Sequence, residues 1–249
     1  MKLLLPLLFL SLTCLGQAAE KNQKKGPLAG EKAVYSLRWS FVSVGDVEIS
    51  IDENSDVGGL WTATLEAKAN AFMRTVYDFH TIIRTQFTEG VPRSEGYIRD
   101  ERGEETVHGT FFDWSTETVR YSKNGDVREV LALQPGTQDP LSVVFAFRSG
   151  AVPLRKGTHP VWVSDGKVID LIEFKVDGPE TVRTPAGKFQ AFHITADFKG
   201  VRAIFARPEG ALIEVWISAD DRMIPVQLKS KASMGSFRSI LEEYSAPEE

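Results

Sequence analysis

Chemistry needs acids, bases, nucleophiles or metal ligands brought together, and this chain offers few candidates. Its four histidines are His80, His108, His159 and His193, and no two of them stand at a spacing that local structure would turn into a ligand pair. A metal site would have to assemble through the fold, so surface or packing roles are the expectation for all four. Carboxylates cluster at Asp220-Asp221 and at Glu101, Glu104 and Glu105. Paired carboxylates do acid–base work when their surroundings split their pKa values, but these fall in predicted turns, where solvation and capping prevail. There is no Walker phosphate loop, dinucleotide glycine fingerprint, paired-histidine zinc helix or nucleophile elbow. No catalytic residue, cofactor or metal is assigned.

The aromatic residues carry more information. Trp39, Trp114 and Trp216 fall within predicted strands, and Trp216 lies opposite the Ile213, Val215 and Ile217 face. Both faces of that strand therefore bear bulky apolar material. Core packing is the simplest account, because tryptophan is highly buried on average. The functional account is that one face of a curved sheet lines a cavity for an apolar ligand, with a helix as lid. On that account Trp39, Phe72, Trp114, Phe145 and Trp216 are the ligand-lining residues.

What must position them is mostly strand. Leu37, Trp39 and Phe41 alternate, as do Val47, Ile49 and Ile51 after a turn near Val44-Gly45. Trp61 to Ala67, Phe192 to Phe198, Ile213 to Ile217 and Ile224 to Leu228 repeat the pattern. Asn124-Gly125 predicts a type I′ hairpin between Val119–Ser122 and Val127–Ala132. Asp165-Gly166, Asp177-Gly178 and Pro185-Ala186-Gly187 read as tight turns. Strands at such short spacing indicate an antiparallel sheet and not βαβ units.

Two stretches break the period. Ala69, Phe72, Met73 and Val76 form a helical stripe. Asp139-Pro140 starts a second helix, Leu141 to Phe147 continue it, and Gly150 with Pro153 ends it. That helix is apolar nearly all round and is expected to be buried against the sheet. The fold class expected is mainly β, a single strongly curved antiparallel sheet (half-barrel or open barrel) with two short helices inserted.

The N-terminus reads as an address. Met1-Lys2 carries a positive charge, Leu3 to Leu10 is apolar with Pro6 inside it, and Gly16 and Ala18 suit a cut after Ala18. The organisation expected is a signal peptide over 1–18, a flexible leader over 19–29 and one β-rich domain over 30–245. Cys14, the single cysteine, would be removed with the signal unless it were lipidated, for which Ser11-Leu12-Thr13 is a poor box. No stable transmembrane anchor is expected after cleavage, since no later run approaches about 20 apolar residues. Over the whole 249 residues, 42% hydrophobic and 25% charged content excludes collagen, coiled coil, disorder and a disulfide scaffold. A net charge of −5 gives no electrostatic support to nucleic-acid binding.

A series of short fragments runs through the chain: Gly30-Glu31 with Tyr35, Val44-Gly45, Phe112-Asp113, Asp139-Pro140-Leu141-Ser142 ending at Arg148, Pro185-Ala186-Gly187-Lys188-Phe189, Trp216-Ile217-Ser218 with Asp220, Ile224-Pro225-Val226 and Gly235-Ser236-Phe237. In this order they resemble the bacterial exported proteins grouped as domain of unknown function 3108, over roughly residues 30–244. The resemblance implies a Gram-negative envelope location and a β-rich fold, and brings no catalytic residues with it. A looser, architectural similarity is to periplasmic lipoprotein carriers, which does not by itself transfer function. The leading expectation is a periplasmic binding or carrier module for an apolar or amphiphilic, lipid-like ligand. The alternatives are a structural protein engaging an envelope partner and, with least support, a hydrolase. The oligomeric state is not legible.

Overall fold

The structure is a computed structural model that describes residues 26–90, 92–102, 106–198, 200–202, 211–232 and 235–247. The signal segment, Cys14, most of the leader, Glu104 and Glu105 lie outside these residues. Fourteen strands form one antiparallel sheet. Eight come first: β1 (Lys32–Trp39), β2 (Val42–Glu53), β3 (Leu60–Ala69), β4 (His80–Thr88), β5 (Ser94–Arg102), β6 (Thr106–Asp113), β7 (Thr118–Lys123) and β8 (Asp126–Ala132). One α-helix follows, α1 (Ser142–Arg148). The rest is β9 (Gly157–Ser164), β10 (Ile169–Thr184), β11 (Gly187–Phe198), β12 (Ala211–Ser218), β13 (Pro225–Ala232) and β14 (Gly235–Ser245).

Each group is a meander, and the two join where β1 pairs with β14 in the middle of the sheet. This leaves β8 and β9 at the edges, and they do not pair with each other. The sheet is therefore open. It is drawn together by a short seam: the Gln138 amide donates to Trp162 O at 2.8 Å, and the Ser164 amide donates to Gln138 O at 2.9 Å. Across the same seam the Thr110 hydroxyl on β6 donates to Asp165 O at 2.7 Å.

The concave side is not an open hollow, because α1 lies within it. Leu141 and Phe145 stand four residues apart, as do Val143 and Phe147. The two pairs are offset by two residues, about 200° around a helix, and so face opposite ways. Leu141 and Phe145 join a core built mainly from β1–β7, where Phe145 stacks on Phe87 with ring centroids 4.8 Å apart. Val143 and Phe147 join a second core with Phe174, Ile194 and Ile217 from β10–β12. A helix apolar on all sides is what a wedge between two walls requires.

Both ends of the wedge are pinned by buried ionisable side chains. Asp139 is fully buried. It accepts hydrogen bonds from the Thr85 hydroxyl (2.5 Å), the Ser94 hydroxyl (2.6 Å) and the amides of Leu141 (2.8 Å) and Ser142 (2.9 Å). It thus caps the helix start, as its sequence position predicts, and also ties that start to β4 and β5. Burial pushes its carboxyl above the usual range, against the pull of those hydrogen bonds. At the other end Arg148, only 2% exposed, makes a bidentate ion pair with Glu31. Its Nε donates to Met223 O at 2.9 Å and its Nη2 to Arg222 O at 3.2 Å. The Tyr244 hydroxyl donates to Glu31 Oε2 at 3.2 Å. A cation at the C-terminal end of a helix also meets its negative pole.

Three expectations are corrected. Among the described residues there is one α-helix, not two: the stripe from Ala69 to Val76 yields a single 3₁₀ turn, Met73–Thr75, with no buried residue. Phe72 and Val76 find no wall to bury on, and the Asn70 side chain, whose Oδ1 accepts from the Met73 amide at 2.8 Å while its Nδ2 donates to Ser43 O at 2.8 Å, ties the single turn to the start of β2. The turn placed near Val44-Gly45 is at Ser40-Phe41. Gly45 lies inside β2, where a Cβ would sit 2.1 Å from Lys68 O. Asp177-Gly178 is not a turn but a register shift within β10. The Asn124-Gly125 hairpin is as expected, with φ of 50° and 84°.

Arg148→Met should lower unfolding free energy by about 3–5 kcal/mol, because it leaves Glu31 charged and buried. Adding Glu31→Gln should recover part of that loss. Urea titration of the three variants measures both effects, and equal midpoints for Arg148→Met and the parent would refute the role given to the pair.

Candidate apolar cleft beside the helix

The four strands β10–β13 put one alternating set of side chains on the concave face, and α1 meets them with its second stripe. Between them runs a cleft lined by Pro140, Val143, Val144 and Phe147 from the helix segment. Phe174, Ile194, Phe198, Ile213, Val215, Ile217 and Leu228 line it from the sheet. Every lining side chain is apolar. The cavity volume is about 40 Å³. An engineered cavity of about 150 Å³ binds benzene, so a larger guest must widen this one.

None of the five aromatic residues singled out from the sequence lines this cleft, and they are not brought together. Trp39 is 40% exposed at the end of β1 and Phe72 is 64% exposed in the loop before β4. Trp114 follows β6, where its Nε1 donates to Ser94 O at 2.9 Å and the Arg93 guanidinium lies 5.2 Å from its ring centroid. Phe145 is the core contact to Phe87 described above. Trp216 is buried, donates from Nε1 to Glu180 Oε1 at 2.5 Å, and stacks on His193 with centroids 4.3 Å apart. Most cleft residues were visible in the sequence only as parts of elements: the alternations at Phe192–Phe198, Ile213–Ile217 and Ile224–Leu228, and the apolar helix after Asp139-Pro140.

The histidines lie elsewhere too. His80 Nε2 is 2.7 Å from Glu66 Oε1, and His193 Nε2 is 3.1 Å from Glu214 Oε2, while Lys229 Nζ donates to Glu214 Oε1 at 2.6 Å. His159 reaches Arg155 O at 2.9 Å. His108 Nδ1 lies 2.6 Å from the Tyr121 hydroxyl, and its pKa is lowered by burial and by Lys167 and Arg202. Glu101, expected in a turn, lies on β5 and accepts from Arg99 at 2.6 Å and Arg202 at 2.7 Å. Among the described residues no three His, Cys, Asp or Glu side chains group so as to hold a metal ion. No helix among them is long and apolar enough to cross a membrane.

The sequence profile of a family described as protein of unknown function DUF3108 matches residues 34–242. This chain belongs to that family. Several of the fragments that carried the resemblance meet at and around the Arg148 end of the helix. Glu31 pairs with Arg148, the Tyr35 hydroxyl donates to Pro225 O at 2.9 Å, and Ser218 Oγ donates to Asp220 and accepts from the Ile224 amide. Among solved structures, a β-barrel-like protein of domain of unknown function DUF1849 from Brucella abortus aligns with a TM-score of 0.58 and 13% identity, over 90% of this chain and 100% of that one. A protein from Bacteroides fragilis, described as exported with a YmcC-like fold, aligns with a TM-score of 0.39 and 10% identity, over 90% and 99% of the two chains. A search of curated proteins returns no match. The first of these likenesses shows a DUF3108 chain sharing a barrel-like fold, and no more.

Trp216 is a packing residue in this arrangement. Trp216→Ala should cost about 3–5 kcal/mol, and thermal melts of the purified variant give the figure. A loss below about 1 kcal/mol would mean the ring is not core.

Proposed function

We propose that this chain is an exported envelope protein that binds an apolar or amphiphilic, lipid-like ligand, whose chain lies in the cleft beside α1. The observation that carries the reading is the lining of that cleft, which has no polar side chain among its eleven residues. Ligand pockets are predominantly apolar concavities with few polar groups, and burying a methylene there is favourable by about 0.8 kcal/mol. Export is supported by the Met1–Ala18 layout, with a charged start, an apolar run and small residues at the cut. Since Asp139 and Arg148 fix both ends of the helix, widening falls to the β10–β13 wall.

A second reading has one observation in its favour. The edge strand β8 exposes Val127 (59%) and Val130 (57%), and an uncovered edge can pair with a partner's strand. The two readings separate on ligand occupancy. Val144 is half-buried on the helix side of the cleft, so Val144→Trp should fill it, at an overpacking cost of about 1–3 kcal/mol. The parent should carry co-purified lipid in native mass spectrometry and bind a fluorescent fatty-acid probe, and Val144→Trp should weaken probe binding about tenfold, or 1.4 kcal/mol. An empty parent that ignores the probe would reject the cleft reading in favour of the edge.

A further inference from the structure

Two loops at one end of the sheet, with the strand ends beside them, expose large apolar side chains. At the β1–β2 turn Trp39 is 40%, Phe41 98% and Val42 50% exposed, and in the β3–β4 loop Phe72 is 64%, Val76 71% and Tyr77 63% exposed. The loops are neighbours: the Asn70 amide donates to Val44 O at 3.0 Å and its side chain to Ser43 O at 2.8 Å. The two loops therefore lie side by side along one rim of the sheet. Contiguous exposed apolar patches of this kind mark interaction surfaces, and aromatic residues with one polar end suit a bilayer interface.

The charges beside the rim favour an anionic surface. Arg38 on β1 stands directly opposite Arg238 on β14, and both are exposed, as is Arg74 in the second loop. Like charges placed opposite each other in a ladder are destabilising, and phosphate headgroups would offset that. The opposing carboxylates there are Asp46 and Asp78, both exposed, while Lys68 pairs with Glu66 at 2.9 Å. Register places Trp39 on the same row of the sheet as one wall of the cleft. Trp39 is opposite Phe237, Phe237 opposite Ser230, and Ser230 opposite Ile213, which lines it.

We propose that this rim docks on an anionic phospholipid bilayer, with Phe41 and Phe72 inserted among the headgroups and Arg38, Arg74 and Arg238 on the phosphates. The docking goes beyond the cleft reading and stands whether or not the cleft carries a ligand.

The test uses the full chain with vesicles of phosphatidylcholine alone or with phosphatidylglycerol. Flotation should be stronger on the anionic vesicles. Lipids brominated in the acyl chain should quench part of the tryptophan emission, and Trp39→Phe should abolish that part, which places position 39 at the bilayer and separates the rim from the N-terminal apolar run. Phe41→Asp with Phe72→Ser should weaken flotation about tenfold or more, with an unchanged melting temperature and unchanged fatty-acid probe binding. Arg38→Gln with Arg238→Gln should remove most of the preference for anionic vesicles. Quenching that persists in Trp39→Phe, or flotation unaffected by the aromatic substitutions, would overturn the proposal. So would light scattering that shows a dimer which those substitutions split into monomers, since the rim would then be covered by a second copy.

Discussion

The ion pair between Glu31 and Arg148 holds this molecule's unusual interior in place. An open sheet has to bury its concave face on something, and here a seven-residue helix does so from within. A helix so short has almost no stability of its own. Its position is fixed by what grips its ends: Asp139 bonded to Thr85 and Ser94 at one, Arg148 bonded to Glu31 and the β12–β13 turn at the other. Burying a guanidinium and a carboxylate carries a desolvation penalty, which is offset only when the remaining donors and acceptors are satisfied. The carbonyls of Met223 and Arg222, the Leu28 amide and the Tyr244 hydroxyl do this. The start of β1, the helix, the turn before β13 and the end of β14 therefore depend on one another, although they are far apart in sequence.

This constraint divides the interior unequally. On the β1–β7 side Phe145 and Leu141 complete a packed core, with Phe87, Ile83 and Leu65 fully buried. On the β10–β13 side the helix and sheet meet less closely, and the apolar cleft remains. The family match and the barrel-like relative account for the architecture and assign no chemistry. Apolar surface lies open in the cleft inside and on the exposed side chains at the end of β1 and in the β3–β4 loop. Trp39 and one wall of the cleft lie on the same row of the sheet.

Much of this was legible in the sequence, because strand alternation and turn chemistry are local. The inward residues of β3, β11 and β12, the Asn124-Gly125 turn and the cap at Asp139 all follow from short windows. What failed depended on distant neighbours. Ala69 to Val76 has a helical period but no wall to bury its stripe on, so it stays a loop and Phe72 ends up exposed. Gly45 looks like a turn glycine, yet it serves the close approach of β3. The site was less legible than the fold. Large aromatic residues suggested a ligand wall, but Phe145 and Trp216 were used for packing, while a different set, Phe147, Phe174 and Phe198 with aliphatic residues, lines the cleft. Arg148 was the overlooked signal: a charged residue closing an apolar helix either reaches solvent or has a buried partner, and here the partner is Glu31.

The most direct test of the account is photo-crosslinking of the purified chain with a fatty acid that carries a diazirine near its tail, followed by peptide mapping. The account predicts label on α1 between Val143 and Phe147 and on the facing residues of β10–β13. Absence of label on both walls, or label confined to the β1–β7 side of the helix, would contradict it.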